Sequence, residues 1–256
     1  MIEEECRIAS NTVVRGKYYL MKIESEYISK NSEPGNFVMV AVSGGHDPLL
    51  KRPFGIFKTD PPYFYIYYEV VGRGSNLMAL KREGDKVMAI GPLGNTFPGY
   101  EGENLLLIGG GRGIAPLYFA LERYSESNNV SLIYGAGSGS DLNFTGEIER
   151  FPLTETIFYT DDGSGYKKGI VTTDIKNIVE RNRISVTFSC GPEGMLRSLN
   201  KEIGSLDIRN FVSLEAYMGC GFGVCHSCAV KGSDGKYKKV CTDGPVFRME
   251  DIEWLT

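Results

Sequence analysis

The stretch Met218-Gly-Cys-Gly-Phe-Gly-Val-Cys-His-Ser-Cys-Ala229 constrains this chain more than any other. It carries Cys220, Cys225 and Cys228, and Cys241 follows, giving the spacing C-x4-C-x2-C-x12-C. Four thiolates brought together can hold a metal centre, and C-x4-C-x2-C…C is the plant-type [2Fe–2S] order. Gly219, Gly221 and Gly223 interleave with the first two cysteines. A loop wrapping a cluster needs unusual backbone angles, close approach, and N–H groups aimed at sulfur. Zinc is the first rival, since C-x2-C knuckles are common, but structural zinc sites pair two short knuckles and Cys241 stands alone. Disulfides are the second rival. No signal-peptide pattern opens Met1-Ile-Glu-Glu-Glu-Cys6, so a cytoplasmic location is expected, where disulfides are rare. His226 lies between two ligands and reads as a bystander, because all four cysteines are already present.

With 256 residues there is room for two domains and a small appendage. A net charge of −4 argues against nucleic acid as a partner. No apolar run reaches membrane-spanning length; Leu105-Leu-Leu-Ile108 is strand-sized.

Residues 1–98 read as a small antiparallel β-barrel. Stretches 6–9, 18–23, 36–42, 54–57, 63–71 and 86–90 are rich in β-branched and aromatic residues. Turn signals separate them at 33–35, 43–48, 60–62 and 82–85. A helix fits Ser75–Arg82, with Ser75 as its N-cap. Two pieces look chemical. Lys51-Arg-Pro-Phe-Gly-Ile56 sets a cation, a fixed turn and a ring side by side, and the Arg52 fork suits phosphate. In Gly72-Arg-Gly-Ser75, glycines precede a helix N-terminus, which suits a diphosphate. Each could equally be a plain surface arginine or a plain turn.

From 99 to 210 the rhythm becomes strand–helix alternation, the pattern of a parallel α/β sheet with ligands at its strands' carboxyl ends. Gly109-Gly-Gly-Arg-Gly-Ile-Ala-Pro116 joins a buried strand to a helix and exposes N–H groups that favour a diphosphate. The loop after the next strand, 135–141, contains no cation, which disfavours NADP. Asp141 or Asp161 would instead meet a ribose hydroxyl. Residues 211–256 hold the cysteine segment, with a hairpin around Gly232–Gly235.

Together these residues resemble the ferredoxin–NADP reductase superfamily. The resemblance implies that Arg52, Pro53, Phe54 and Gly55 line a flavin. It also implies that Gly72, Arg73, Gly74 and Ser75 hold the FAD diphosphate. A serine is usual where Gly55 stands, near flavin N5, and a small or apolar residue where Arg112 stands. Gly91-Pro-Leu-Gly-Asn-Thr-Phe97 matches the superfamily segment that closes the barrel. Gly109, Gly110, Gly111, Gly113 and Pro116 are similar to its nicotinamide-nucleotide turn. Cys190-Gly-Pro-Glu-Gly-Met195 is similar to its segment beside the nicotinamide.

A narrower resemblance rests on Thr160-Asp-Asp-Gly-Ser-Gly165, Lys168–Thr172, the four cysteines and Cys241-Thr-Asp-Gly-Pro-Val-Phe247. These are similar to the electron transfer subunits of dihydroorotate dehydrogenase B. That resemblance implies a relay in pyrimidine biosynthesis. A partner catalytic subunit with FMN oxidises dihydroorotate, and electrons pass through [2Fe–2S] and FAD to NAD⁺. The same resemblance implies a heterotetramer with two copies of each chain. Other readings are the reductase subunit of a hydrogenase or of a ferredoxin:NAD(P) oxidoreductase, and a non-catalytic flavin and cluster sensor.

Overall fold

The computed structural model describes residues 1–45 and 47–254. His46, inside the turn expected at 43–48, and the last two positions of the cysteine segment lie outside the described residues.

The first part contains β1 (Ile2–Arg15), β2 (Tyr18–Glu24), α1 (Glu26–Asn31), β3 (Phe37–Val40), β4 (Arg52–Asp60), β5 (Tyr63–Glu69), α2 (Arg73–Ala79) and β6 (Lys86–Leu93). Its strands close an antiparallel barrel in the order β1-β2-β5-β4-β3-β6. Alternation decides the inside: Met21 and Ile23 of β2 and Phe64 and Ile66 of β5 are wholly buried. β1 is much longer than the four residues expected, because its outer half is polar and pairs with β2 through two register shifts. Sequence reasoning missed α1. Six residues are too few for a helical period, yet Ser25 caps it by accepting from Ile28 N–H at 3.0 Å, and Ile28 plugs the barrel.

The α/β part contains β7 (Asn104–Gly110), a 3₁₀ turn at Gly111–Gly113, α3 (Ile114–Tyr124), β8 (Asn129–Ala136), α4 (Thr145–Ile148), β9 (Glu155–Thr160), β10 (Lys167–Lys168), α5 (Ile175–Arg181), β11 (Val186–Cys190), α6 (Glu193–Ile203) and β12 (Arg209–Ser213). The cysteine segment adds β13 (Ala229–Lys231), β14 (Tyr237–Lys239) and β15 (Val246–Arg248). A seven-stranded sheet runs β10-β9-β8-β7-β11-β12-β15, parallel except that β15 lies antiparallel to β12. The chain's last strand thus completes the middle sheet.

β7 is central, and its apolar run serves both faces. Leu105 and Leu107 join the core shared with α3 and the barrel, while Leu106 and Ile108 join the core shared with α5 and α6. Phe57 of β4 stacks on Tyr118 of α3 with centroids 4.2 Å apart. Tyr18 donates to Asp141 Oδ1 at 2.9 Å, and Asn143 Nδ2 donates to the Tyr67 hydroxyl at 2.8 Å. An aromatic seam with internal hydrogen bonds holds the barrel against the sheet. No helix among the described residues is long and apolar enough to cross a membrane.

Candidate functional site

The barrel, the glycine turn and the segment feeding the cysteine loop meet at one cavity of about 540 Å³. Arg52, Pro53, Phe54 and Gly55 line it from β4, and Gly72, Arg73, Gly74 and Ser75 from the start of α2. Arg112, Pro116 and Cys190 come from the α/β part, and Leu214–Met218 lead to the first cysteine. The volume suits a cofactor-sized ligand.

Arg52 lies across the N-terminus of α2: a Cβ on Gly74 would stand 2.9 Å from Arg52 Nε. A guanidinium and free helix N–H groups therefore share one spot, a chemistry that fits a diphosphate. Ser75 is not the N-cap expected. The cap lies three residues earlier at Gly72, with the helix starting at Arg73, and Ser75 Oγ accepts from Val71 N–H at 2.9 Å and Gly72 N–H at 3.1 Å. That role still orders the turn. Arg73 pairs with Asp47 at 2.6 Å. A Cβ on Gly55 would meet only Pro116 Cδ at 3.8 Å, so no crowding enforces glycine there.

Gly110, Gly113 and Cys190–Met195 press together. A Cβ on Gly113 would fall 2.1 Å from the Cys190 carbonyl oxygen, and one on Gly110 2.4 Å from Met195 Sδ. Gly111 takes a left-handed φ of 52°. These glycines permit a tight strand–helix turn at the start of α3. Gly109 is buried at the end of β7, and Pro116 sits in the first turn of α3. Cys190 is buried, and burial pushes its thiol well up, so it is a packed wall residue rather than a reactive thiolate.

Asp141 is engaged by Tyr18 and Ser138, which removes it from the ribose candidates. Asp161 is exposed at the carboxyl end of β9, away from the main cavity. Sequence reasoning found no cation in the 135–141 loop, but the fold brings one from the barrel: Arg15 Nη1 donates to Gly139 O at 3.0 Å. A contact across 124 residues leaves no local signal.

The four cysteine sulfurs gather as two pairs. Cys220 Sγ accepts from Val224 N–H at 3.3 Å and Cys225 N–H at 3.4 Å, and Cys225 Sγ accepts from Cys220 N–H at 3.4 Å. The Cys228 and Cys241 thiols are free, lie beside each other and are buried. The Ser227 hydroxyl and N–H, then the Cys220 N–H, hold the Cys225 thiol down to about 6. Burial pushes Cys241 up to about 11, with Cys228 beside it. Among the described residues, no three such side chains surround a single ion-sized point. Two pairs fit a two-iron cluster, in which each iron takes two thiolates. Gly221, at φ 85°, lays the loop on the barrel, where a Cβ would fall 2.4 Å from Met39 Cγ. His226, at φ 59°, is an exposed corner of the loop. The apolar side chains of Tyr217, Phe222 and Val224 stand exposed around it.

Residues 215–253 match the iron–sulfur cluster binding domain of dihydroorotate dehydrogenase B, and residues 107–201 match an oxidoreductase NAD-binding domain. The chain is 35% identical to the dihydroorotate dehydrogenase B (NAD⁺) electron transfer subunit of Geobacillus thermodenitrificans, covering 97% of this chain and 98% of that one. It is 34% identical to an electron transfer subunit homolog from Aquifex aeolicus, covering 98% and 99%. Among solved structures it is similar to an NADH-dependent reduced ferredoxin–NADP oxidoreductase studied for flavin-based electron bifurcation. That match has a TM-score of 0.86 and 30% identity, covering 97% of this chain and 90% of the other.

Proposed function

The chain belongs to the family of dihydroorotate dehydrogenase B electron transfer subunits, and from that premise we propose that it carries electrons from a dihydroorotate-oxidising partner subunit to NAD⁺ in pyrimidine biosynthesis. One observation supports the relay above all. The flavin-strand residues, the dinucleotide turn and the approach to the cysteine loop line one cavity. When bound, FAD and a [2Fe–2S] cluster supply the exchange between a two-electron and a one-electron carrier.

The residues divide the work by position. Arg52 and the α2 N-terminus, with Gly72, Arg73, Gly74 and Ser75, hold the FAD diphosphate. Pro53, Phe54 and Gly55 bound its ring system. Cys220, Cys225, Cys228 and Cys241 hold the cluster. Gly109, Gly110, Gly111, Gly113 and Pro116 shape the turn that receives the nicotinamide dinucleotide, Cys190 walls it, and Asp161 meets a ribose hydroxyl. In this reading 1–98 is the flavin unit, 99–210 the dinucleotide unit and 211–256 the cluster unit. The partner assembles with this chain as two copies of each. A cytoplasmic location suits six free cysteines.

A second reading, a subunit of a ferredoxin:NAD(P) oxidoreductase, is favoured by the likeness to the bifurcating oxidoreductase. The test of the acceptor side is anaerobic mixing of the flavin- and cluster-loaded chain with NADH. Bleaching of the flavin band is the expected result; no bleaching with NADH would sink the NAD assignment. Identifying the chain that co-purifies with it separates the two readings.

A further inference from the structure

Arg112 stands in the middle of the glycine turn, and its side chain lines the cavity. Its Nη1 lies 3.2 Å from Glu69 Oε2 on β5, and its Nη2 lies 3.9 Å from Glu215 Oε2 on the approach to the cysteines. Glu69 Oε1 also binds Lys17 Nζ at 2.6 Å. A single guanidinium thus touches all three parts of the chain. Glu69 is largely covered, with 13% of its side chain exposed, while Glu215 is 64% exposed.

A nicotinamide dinucleotide brings a doubly charged diphosphate to this turn. Without Arg112 the diphosphate would face the Glu69 and Glu215 carboxylates, and like charges repel. With Arg112, the carboxylates hold a planar fork at the edge of the turn, and that fork matches phosphate oxygens.

We propose that Arg112 is the phosphate-contacting residue of the dinucleotide site, and that Glu69 and Glu215 compete with the nucleotide for its guanidinium. The inference rests on the reading that this chain takes a nicotinamide dinucleotide. It has two consequences of opposite sign. Removing the arginine weakens nucleotide binding, whereas neutralising Glu215, the exposed competitor, strengthens it. Glu215 is the better probe because Glu69 also anchors Lys17.

The test is calorimetric titration of the flavin- and cluster-loaded protein with ADP-ribose, which carries the diphosphate without nicotinamide. Wild type, R112A, R112K and E215Q are compared at several salt concentrations. R112A should raise the Kd about ten-fold or more, and R112K should recover part of that loss. E215Q should lower the Kd by about two- to five-fold, and the salt dependence of binding should flatten in R112A. R112A binding as tightly as wild type, or weaker binding with an unchanged salt dependence, overturns the proposal; so does weaker binding in E215Q. If NADH bleaches the wild-type flavin while R112A keeps its affinity, the Arg112 role falls and the NAD reading stands. A wild type that is neither bleached by NADH nor binds ADP-ribose overturns both.

Discussion

Gly221 approaches Met39 so closely that a Cβ on it would fall 2.4 Å from Met39 Cγ. Met39 on β3 pairs with Pro53 on β4, and Pro53 lines the cavity. One glycine therefore seats the cysteine loop directly behind the proposed flavin strand. Gly221→Ala adds a methyl where the backbone is left-handed and the space is filled. It should cost about 1–3 kcal/mol and lower cluster content. Thermal unfolding and iron per chain check this; wild-type values for both would show that the seat is not required.

The sulfur pairing makes a sharper prediction. Cys225 shares a pocket with Cys220, and its thiol is held down by Ser227 and by backbone N–H groups. Cys225→Ser should abolish the visible absorbance of the cluster and drop iron below about two per chain, while flavin content stays near wild type. Two irons per chain in that variant would mean the ligand set is wrong.

Much of this architecture was legible in the sequence, for identifiable reasons. β7 could be read from an unbroken apolar run, because a central parallel strand is buried on both faces. The cysteine segment could be read as an iron–sulfur region because cysteine spacing is a local property, and residues 215–253 match such a domain. What escaped was short or distant. α1 spans six residues and has no helical period. Serine favours the cap position, but Gly72 takes it and Ser75 bonds back to the turn. Arg15 reaches Gly139, and β15 joins β12, only after the chain has folded. No local pattern encodes such encounters.

Arg52 offers a test of the flavin site. Its guanidinium lies against Gly74 at the α2 N-terminus, and Nη1 donates to Leu50 O at 2.5 Å. Arg52→Ala removes a charged donor from the proposed diphosphate site, a loss of about 1.5–3 kcal/mol in FAD affinity. That corresponds to a Kd about ten- to a hundred-fold weaker, read by fluorescence of released flavin. Full flavin retention after gel filtration would count against the assignment.

Gly55 differs. Only Pro116 Cδ, at 3.8 Å, faces the position a Cβ would take. Gly55→Ser should fold with stability within about 0.5 kcal/mol of wild type, because the site has room. A hydroxyl placed there would add a donor to the proposed flavin site, so the rate of flavin bleaching by NADH should change. A large loss of stability would mean the backbone at Gly55 is strained by a side chain.

The central claim is that this chain links dihydroorotate oxidation in a partner to NAD⁺. The most direct measurement combines this protein, the dihydroorotate-oxidising subunit, dihydroorotate and NAD⁺ without oxygen, and follows NADH absorbance. NADH should form only when both chains are present, in step with orotate, and should vanish with Cys225→Ser. NADH formed by the partner alone, or none formed by the complete, cofactor-loaded complex, would contradict it.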